Sequence, residues 1–268
     1  MSKKKPTIIH ISDPHYGTEE KAIADQLIKE INETEPDVVV VSGDLTQRAT
    51  AHQFKKAKRL LDSINAPKVI IPGNHDIPLF NIFERFLDPY GNYRKYISKE
   101  QYPKFISDEI VIVGVNSCTP FRSQSGRIKD EDIEYLKNFF AEIDPHKMRG
   151  VIVHHNIFPF EGMKGNSALV NADSFLSAMI RCGIDLIFAG HLHRSLTHTY
   201  NQAGVENNLV VLQAGTCISR RLRHEENTYL MITRENDRMQ VEFHVYDGHI
   251  FEPRNHISYE KYNEAQCK

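Results

Sequence analysis

The sequence contains no tryptophan and only four cysteines among its 268 residues. Because Cys118, Cys182, Cys217 and Cys267 are far apart, they cannot form a CxxC redox pair or a thiolate metal knuckle, and we expect reduced thiols. No apolar run approaches the roughly 18 residues of a membrane-spanning helix, and the run Thr7–Ile11 is too short and too polar for a secretory signal. The cytoplasm is therefore the simplest expected location.

The sequence also lacks a strong charge of either sign. Its formal net charge is -2 and its pI is about 6.7, so bulk charge supplies no attraction to nucleic-acid polymers or to anionic membranes. A hydrophobic content of 40% and a charged content of 25% are ordinary for a globular enzyme and exclude a disordered chain. The length allows a sizeable core without disulfides, and it leaves the oligomeric state open, a dimer included.

Apolar runs alternate with segments of helical periodicity over much of the chain. The run 37–41 is β-branched after its first residue, which indicates a central strand covered on both faces. Near the C-terminus Val241, Phe243 and Val245 alternate with polar residues, as in an antiparallel strand with one wet face. These patterns predict an α/β fold of two packed mixed β-sheets flanked by helices, a four-layer αββα sandwich, in one domain over residues 1–268.

A segment at about 78–107 interrupts the alternation of strands and helices. Several of its aromatic residues lie at helical spacing, so we expect most of them to pack locally, although the position of the segment makes it a candidate rim or lid. The loop 156–171 is long, and long loops inside compact domains tend to be functional. The aromatic residues of the insertion are Phe80, Phe83, Phe86, Tyr90, Tyr93, Tyr96, Tyr102 and Phe105.

Polar motifs follow five separate apolar runs. One such motif alone is better explained as a turn, and a lone histidine after a strand is more often a structural residue than a ligand. Five of them together make that explanation improbable, because an open α/β sheet collects the carboxyl ends of its strands at one edge. The motifs are Asp13-Pro14-His15, Gly43-Asp44, Gly73-Asn74-His75-Asp76, His154-His155 and Gly190-His191-Leu192-His193.

The residue types in these motifs suit a metal site. Imidazole nitrogen, carboxylate and amide oxygen form the mixed donor set that Mn, Fe, Co or Zn ions accept. Two ions need a shared ligand, and Asp44 is the obvious bridge. In extended backbone the pairs Asp13 with His15, and His191 with His193, would each point to one side. The glycines before these motifs would permit tight turns.

The ordered set of motifs resembles the calcineurin-like metallophosphoesterase superfamily, from the first strand to Gly190-His191-Leu192-His193. The later Gly215-Thr216, with Arg221 and Arg223, is also similar to many bacterial members. The resemblance implies two divalent or trivalent ions (Mn, Fe, Zn or Co), the first held by Asp13, His15, Asp44 and His193. It implies that the second is held by Asp44, Asn74, His154 and His191.

The resemblance also implies a reaction. His75 would face the substrate and protonate the leaving oxygen, or stabilise its charge, while a metal-bridging hydroxide attacks phosphorus in line. Asp76 would orient the ring of His75, or else cap the following helix, and sequence does not choose between these roles. His155 either contacts the substrate or a metal ligand, or is a structural histidine at the end of a strand, and we expect the structural role. For Arg220, Arg221 and Arg223 we expect surface ion pairs rather than phosphate binding, with acids such as Glu225 and Glu226 as partners.

Subgroups of the superfamily differ around these motifs. Gly43-Asp44-Leu45-Thr46 departs from the protein phosphatase pattern, no tyrosine follows closely as in purple acid phosphatases, and the run is most similar to bacterial cyclic-nucleotide and glycerol phosphodiesterases. The expected function is thus a phosphodiesterase acting on a small diester, with no nucleic-acid polymer as a partner. The alternatives are a pyrophosphatase on a UDP-linked lipid precursor, whose acyl chains the insertion would grip, and a non-catalytic metal-bound scaffold.

Overall fold

Two six-stranded β-sheets form the centre of the fold in a computed structural model, which describes residues 5–121, 125–159, 168–204, 208–220, 225–236 and 238–260. The first sheet contains β1 (Thr7–Ile11), β2 (Val38–Val41), β3 (Lys68–Ile70), β10 (Thr228–Glu235), β11 (Arg238–Tyr246) and β12 (Phe251–Glu260). The second contains β4 (Lys104–Ile106), β5 (Ile110–Gly114), β6 (Met148–Ile152), β7 (Leu186–Ala189), β8 (Leu196–Tyr200) and β9 (Leu209–Gln213). The helices are α1 (Lys21–Thr34), α2 (Ala51–Ser63), α3 (Ile82–Leu87), α4 (Gly91–Tyr96), α5 (Asp130–Ala141) and α6 (Ala172–Arg181).

Both sheets mix parallel and antiparallel pairs. The first has the order β12-β11-β10-β1-β2-β3, in which β1, β2 and β3 run parallel and the other pairs are antiparallel. The second has the order β4-β5-β6-β7-β9-β8, in which only the outermost pair at each edge is antiparallel. The parallel strands of each sheet therefore bring their carboxyl ends to one edge.

Alternating side chains divide the interior into three apolar layers. In β2, Val39 and Val41 face the helices α1 and α2, while Val38 and Val40 face the second sheet. The second sheet repeats this arrangement against α5 and α6. Because both faces of the central strands are covered, β-branched residues at consecutive positions are favourable there. The predicted α/β sandwich with mixed sheets and outer helices is confirmed.

The structure differs from the sequence-based expectation in three strands. The short edge strand β4 and the ten-residue edge strand β12 are additional. In β11 the predicted alternation ends at His244, which is buried, because the pairing with β12 shifts register between Phe243 and His244. No helix within the described residues has the length and apolarity that a membrane crossing requires.

The aromatic insertion contains two environments. Tyr90, Tyr93 and Tyr96 pack against the core beside α2, as expected, and the hydroxyl of Tyr93 donates to the carbonyl of Ile70 at 2.9 Å. The expectation of local packing is wrong for α3 and the residues before it, because Phe80 is 77% exposed and Phe83 is 79% exposed. The insertion therefore packs the tyrosines in and beside α4 against the core and presents α3 and the residues before it to solvent.

Candidate metal centre

The loops after five parallel strands converge at the carboxyl edges of the two sheets. Asp13 and His15 follow β1, Asp44 follows β2, and Asn74 lies in a 3-10 turn (Asn74–Asp76) after β3. His154 follows β6, while His191 and His193 follow β7. The predicted ligands therefore come from both sheets, and the structure brings all of them together.

Left-handed backbone, rather than extended backbone, aims these side chains. Five of the seven candidate ligands have positive φ, between 45° and 77°. The expectation that Asp13 with His15, and His191 with His193, converge through extended geometry is therefore wrong. Non-glycine residues rarely adopt this conformation, and where they do it is often at a functional site. The five residues are Asp13, His15, Asp44, His191 and His193.

The first group of side chains is Asp13, His15, Asp44 and His193, all buried. One ligand atom from each lies within 4.8 Å of the others. The Nε2 atoms of His15 and His193 are 2.9 Å apart, and they lie 3.5 Å and 3.4 Å from Oδ1 of Asp13. Two imidazoles and two carboxylates around one small volume match the donors that a first-row divalent ion takes.

The second group is Asp44, His154 and His191, with the amide of Asn74 between the two rings. Oδ1 of Asn74 lies 2.9 Å from Nε2 of His154 and 2.9 Å from Nδ1 of His191. Nδ1 of His154 is 2.8 Å from the carbonyl oxygen of Ser42, which can only accept. Nδ1 therefore carries the proton, and in the neutral ring the lone pair of Nε2 faces the group.

Asp44 belongs to both groups. Its Oδ2 lies 3.6 Å from Nε2 of His15, and its Oδ1 lies 3.4 Å from Nε2 of His154. Among the described residues, neither Oδ2 of Asp44 nor Oδ1 of Asp13 has a hydrogen-bond partner, although both are fully buried. Buried carboxylate oxygens without donors are costly, so their presence here fits a bound cation.

The electrostatics of the buried carboxylates also fit a bound cation. Burial raises the pKa of Asp44 well above its usual value, and the charges of Asp13 and Asp76 raise it further. Burial also acts to raise the pKa of Asp13, but the contacts with His15 and His193 outweigh it and hold that pKa well below its usual range. Cations would offset the repulsion among the three buried acids.

His75 lies beside the first group. Its ring meets that of His15 edge to face, with centroids 4.9 Å apart, and its backbone N–H donates to Oδ1 of Asp44 at 2.8 Å. The carbonyl oxygen of Gln47 is 3.1 Å from its Nδ1. Because that carbonyl only accepts, this shorter contact assigns the proton to Nδ1, while the side-chain nitrogen of Gln47 lies 3.4 Å from the same atom.

The carboxylate of Asp76 bonds to the backbone of two loops, and its bond to Gly73 caps the turn Asn74–Asp76. It accepts the backbone N–H groups of Gly73, Leu45 and Thr46 at 2.8 to 3.0 Å, and the hydroxyl of Thr46 at 2.8 Å. These bonds join the loop after β2 to the turn after β3. Asp76 therefore fixes the distance between Asp44 and Asn74 by tying their backbones together.

Two glycines are needed for separate reasons. Gly43 has φ +98°, a conformation that suits glycine. Gly73 has ordinary backbone angles, but a Cβ there would overlap the backbone nitrogen and the carboxylate of Asp44. The predicted tight turns therefore hold for Gly43, whereas Gly73 is required because two loops touch.

His155 is buried next to the second group without belonging to it. Its Nδ1 is 2.8 Å from the hydroxyl of Ser117, and its ring packs 4.8 Å from that of His191.

Arg220 pairs with Glu20 rather than with Glu225 or Glu226. Arg221 and Arg223 lie outside the described residues.

Of the polar residues around the ligands, Thr216 was noted in the sequence only as part of a motif, and the others were not identified. Thr216 donates from its hydroxyl to the carbonyl of Asp13 at 2.7 Å, which gives the Gly215-Thr216 motif a supporting role. Gln47, Ser12 and Ser42 are buried at the site as well. Their positions in the sequence could have identified them, because Ser12, Ser42 and Gln47 each lie within three residues of a predicted ligand. Thr216 lies in the Gly215-Thr216 motif.

Comparison with known proteins agrees with this geometry. Residues 6–195 match the family model of calcineurin-like phosphoesterases. A probable cyclic nucleotide phosphodiesterase of Vesicomyosocius okutanii is 25% identical over 69% of this chain and 76% of its own length. A glycerophosphodiester phosphodiesterase of Enterobacter lignolyticus, GpdQ, is 24% identical over 74% of each chain. A purple acid phosphatase from yellow lupin has a similar fold, with a TM-score of 0.67 at 11% identity over 96% of this chain and 54% of that one.

The fold and the site define a hydrolase that acts on phosphoester bonds and carries a candidate metal-binding site. The chain belongs to the calcineurin-like phosphoesterase family. The resemblance in the sequence motifs is thereby confirmed.

Proposed function

We propose that this protein is a dinuclear metal-dependent phosphodiesterase that hydrolyses a small nucleotide-like or glycerol diester. The observation that carries the proposal is the position of Asp44, whose two carboxylate oxygens face different ligand groups. Asp13, His15 and His193 would complete the first ion's shell, and Asn74, His154 and His191 the second's. Relatives that act on phosphodiesters support the substrate class.

Bound ions would neutralise phosphate charge and supply the nucleophilic hydroxide. The chain itself contributes His75, whose Nδ1 contacts the carbonyl oxygen of Gln47 and whose Nε2, when it too carries a proton, would donate it to the leaving oxygen of the substrate. A proton delivered at that atom lets an alkoxide depart as an alcohol. Manganese, iron, zinc and cobalt all suit the donor set.

We further propose one domain over residues 1–268. We also propose a cytoplasmic location, which the free thiols of Cys118, Cys182 and Cys217 support.

The leaving group distinguishes the role of His75. With Mn²⁺, wild type should hydrolyse both bis-p-nitrophenyl phosphate and an alkyl phosphodiester such as glycerophosphocholine. His75→Ala should lose about 10²- to 10⁴-fold on the alkyl diester, and much less on the nitrophenyl diester, whose phenolate departs without protonation. His52→Ala, a change at an exposed histidine, should retain wild-type rates. Equal losses on both substrates would exclude proton donation by His75.

Metal analysis tests the shared ligand. Asp44→Asn should lower the occupancy of both ions, whereas His75→Ala should keep both. Full loading of Asp44→Asn would contradict the bridge. A metal-loaded wild type that is inactive on cyclic nucleotides, glycerophosphodiesters and phosphomonoesters would instead favour the scaffold alternative.

An exposed apolar surface favours a second candidate, a pyrophosphatase acting on a UDP-linked lipid precursor. We call it the α3 surface; it consists of Leu79, Phe80, Ile82, Phe83, Phe86, Leu87 and Phe121. Leu87 is 82% exposed and Phe121 is 81% exposed, and the rings of Phe86 and Phe121 are 5.6 Å apart. Large clustered apolar patches usually bind something.

The α3 surface begins beside the candidate metal centre. Arg48 lies over the ring of Phe80 at 5.5 Å, and Arg48 is the neighbour of Gln47, which contacts His75. A lipid chain on this surface could thus accompany a phosphate at the ions. Phe83→Ser should raise the KM for a UDP-linked acyl substrate. The kcat of the same variant on bis-p-nitrophenyl phosphate, which has no acyl chain, should not change. Identical KM values in Phe83→Ser and wild type would remove this candidate.

A further inference from the structure

A buried chain of hydrogen bonds leads from His10 to the candidate ligand Asp13. Nε2 of His10 is 2.9 Å from the hydroxyl of Ser42, which donates to the hydroxyl of Ser12 at 2.7 Å. The hydroxyl of Ser12 donates to Oδ2 of Asp13 at 2.5 Å. All four side chains are fully buried. The ligand set assigns no role to the first three.

The position of His10 is unusual for a polar side chain. It lies on β1, two residues after Ile8, and faces the apolar layer between the sheets. Its ring meets Phe188 edge to face, with centroids 5.1 Å apart. Burying an imidazole there costs free energy that an aliphatic residue would avoid. A specific hydrogen bond is the available compensation.

The donors and acceptors of this hydrogen-bond chain can be arranged in one direction. The carboxylate of Asp13 accepts from Ser12, which in turn accepts from Ser42, so the hydroxyl of Ser42 needs an external donor. That donor is Nε2–H of His10. Burial lowers the pKa of His10 to about 3, and the opposing effect of Asp13 is smaller, so the ring is neutral with a single N–H. Nδ1 then has no proton, and among the described residues it has no hydrogen-bond partner.

The chain determines which oxygen of Asp13 faces the ions. Oδ2 is occupied by the hydroxyl of Ser12 and by the backbone N–H of His191 at 2.9 Å. This arrangement directs Oδ1 toward His15 and His193. Gly190 provides the space, because a Cβ there would overlap the hydroxyl of Ser12 and approach Oδ2 of Asp13 to 2.7 Å.

We propose that His10 is a positioning residue: through Ser42 and Ser12 it holds the carboxylate of Asp13 in the orientation that binds the first metal ion. This inference rests on the proposed function, because it requires that Asp13 binds a metal. Substitution of a residue that holds a metal ligand by hydrogen bonds commonly lowers metal affinity by about 10- to 100-fold.

The test is a calorimetric titration of the metal-free protein with Mn²⁺. His10→Leu removes the donor, and its Mn²⁺ affinity should fall by about 10- to 100-fold at one of two sites. His10→Gln places an amide N–H close to the position of Nε2, so its affinity should stay within a few-fold of wild type. Ile8→Ala is the matched control, since it perturbs the same face of the same strand and should leave the affinity unchanged.

Thermal unfolding of the metal-free variants measures how much each substitution disturbs packing, and the Mn²⁺ titration measures how much it disturbs the position of Asp13. The inference is overturned if His10→Leu binds Mn²⁺ like wild type, or if Ile8→Ala weakens binding as much as His10→Leu does. If His10→Leu does not fold, Ser42→Ala interrupts the same chain and should show the same loss. In the double variant His10→Leu/Ser42→Ala the loss should not exceed that of either change alone. A wild type that binds no Mn²⁺ would instead overturn the proposed function.

Discussion

The neutral state of His10 predicts how stability depends on pH. In the folded protein its pKa is about 3, whereas an unfolded histidine titrates near 6.5. Unfolding at low pH therefore takes up a proton, and stability is lost as the pH falls from about 6.5 toward 3. Between pH 7 and pH 5 the loss from this residue alone is about 2 kcal/mol. His10→Gln does not titrate and should lack this part of the slope.

Urea unfolding of the metal-free proteins measures the effect. The difference in free energy of unfolding between wild type and His10→Gln should change by about 2 kcal/mol between pH 7 and pH 5, in favour of the variant at the lower pH. Other histidines are common to both proteins, so their contributions cancel. Parallel pH profiles would show that burial does not lower the pKa of His10, and would contradict the neutral ring assigned to the folded protein across this pH range.

Four further substitutions have distinct expected outcomes. Asp76→Asn replaces an acceptor of several hydrogen bonds with a group that must also donate, and should cost about 3 kcal/mol in urea unfolding; a cost below about 0.5 kcal/mol would contradict the tie between the two loops. Gly73→Ala should weaken Mn²⁺ binding in a calorimetric titration, because its Cβ would displace Asp44, and unchanged affinity would show that the loops can separate without cost. Phe54→Ala should lower the free energy of unfolding by about 3 to 5 kcal/mol, whereas Phe83→Ala should change it by less than about 0.5, and similar values would mean that the α3 surface is covered.

Much of the fold could be predicted because burial on both faces leaves a clear pattern. Consecutive β-branched residues such as Val38–Val41 occur where helices and a second sheet cover a strand, and the polar motifs mark where such strands end. The edge strand β12 was missed because much of it is exposed, so it carries no apolar pattern. Its pairing depends on β11, a partner that local sequence does not specify.

The candidate site could be predicted in composition but not in geometry. Residue types at the strand ends identified the candidate ligands, since chemistry restricts which side chains bind metals. The left-handed backbone at Asp13 and Asp44 has no local signature, because neither residue is glycine and the surrounding loops impose the conformation. The partners of Asp76 were missed for a similar reason: its carboxylate bonds to backbone N–H groups of another loop, and every residue other than proline has such a group.

The division of the ligands between two sheets has a consequence for the order of events in folding. The first group takes Asp13, His15 and Asp44 from loops of the first sheet and only His193 from the second, whereas the second group depends on His154 and His191 from the second sheet. A chain in which the sheets have not yet docked would therefore offer most of one coordination shell and half of the other. If both groups bind Mn²⁺ as proposed, the first group should take up its ion early in refolding, and occupancy of the second group should report that the two sheets have docked.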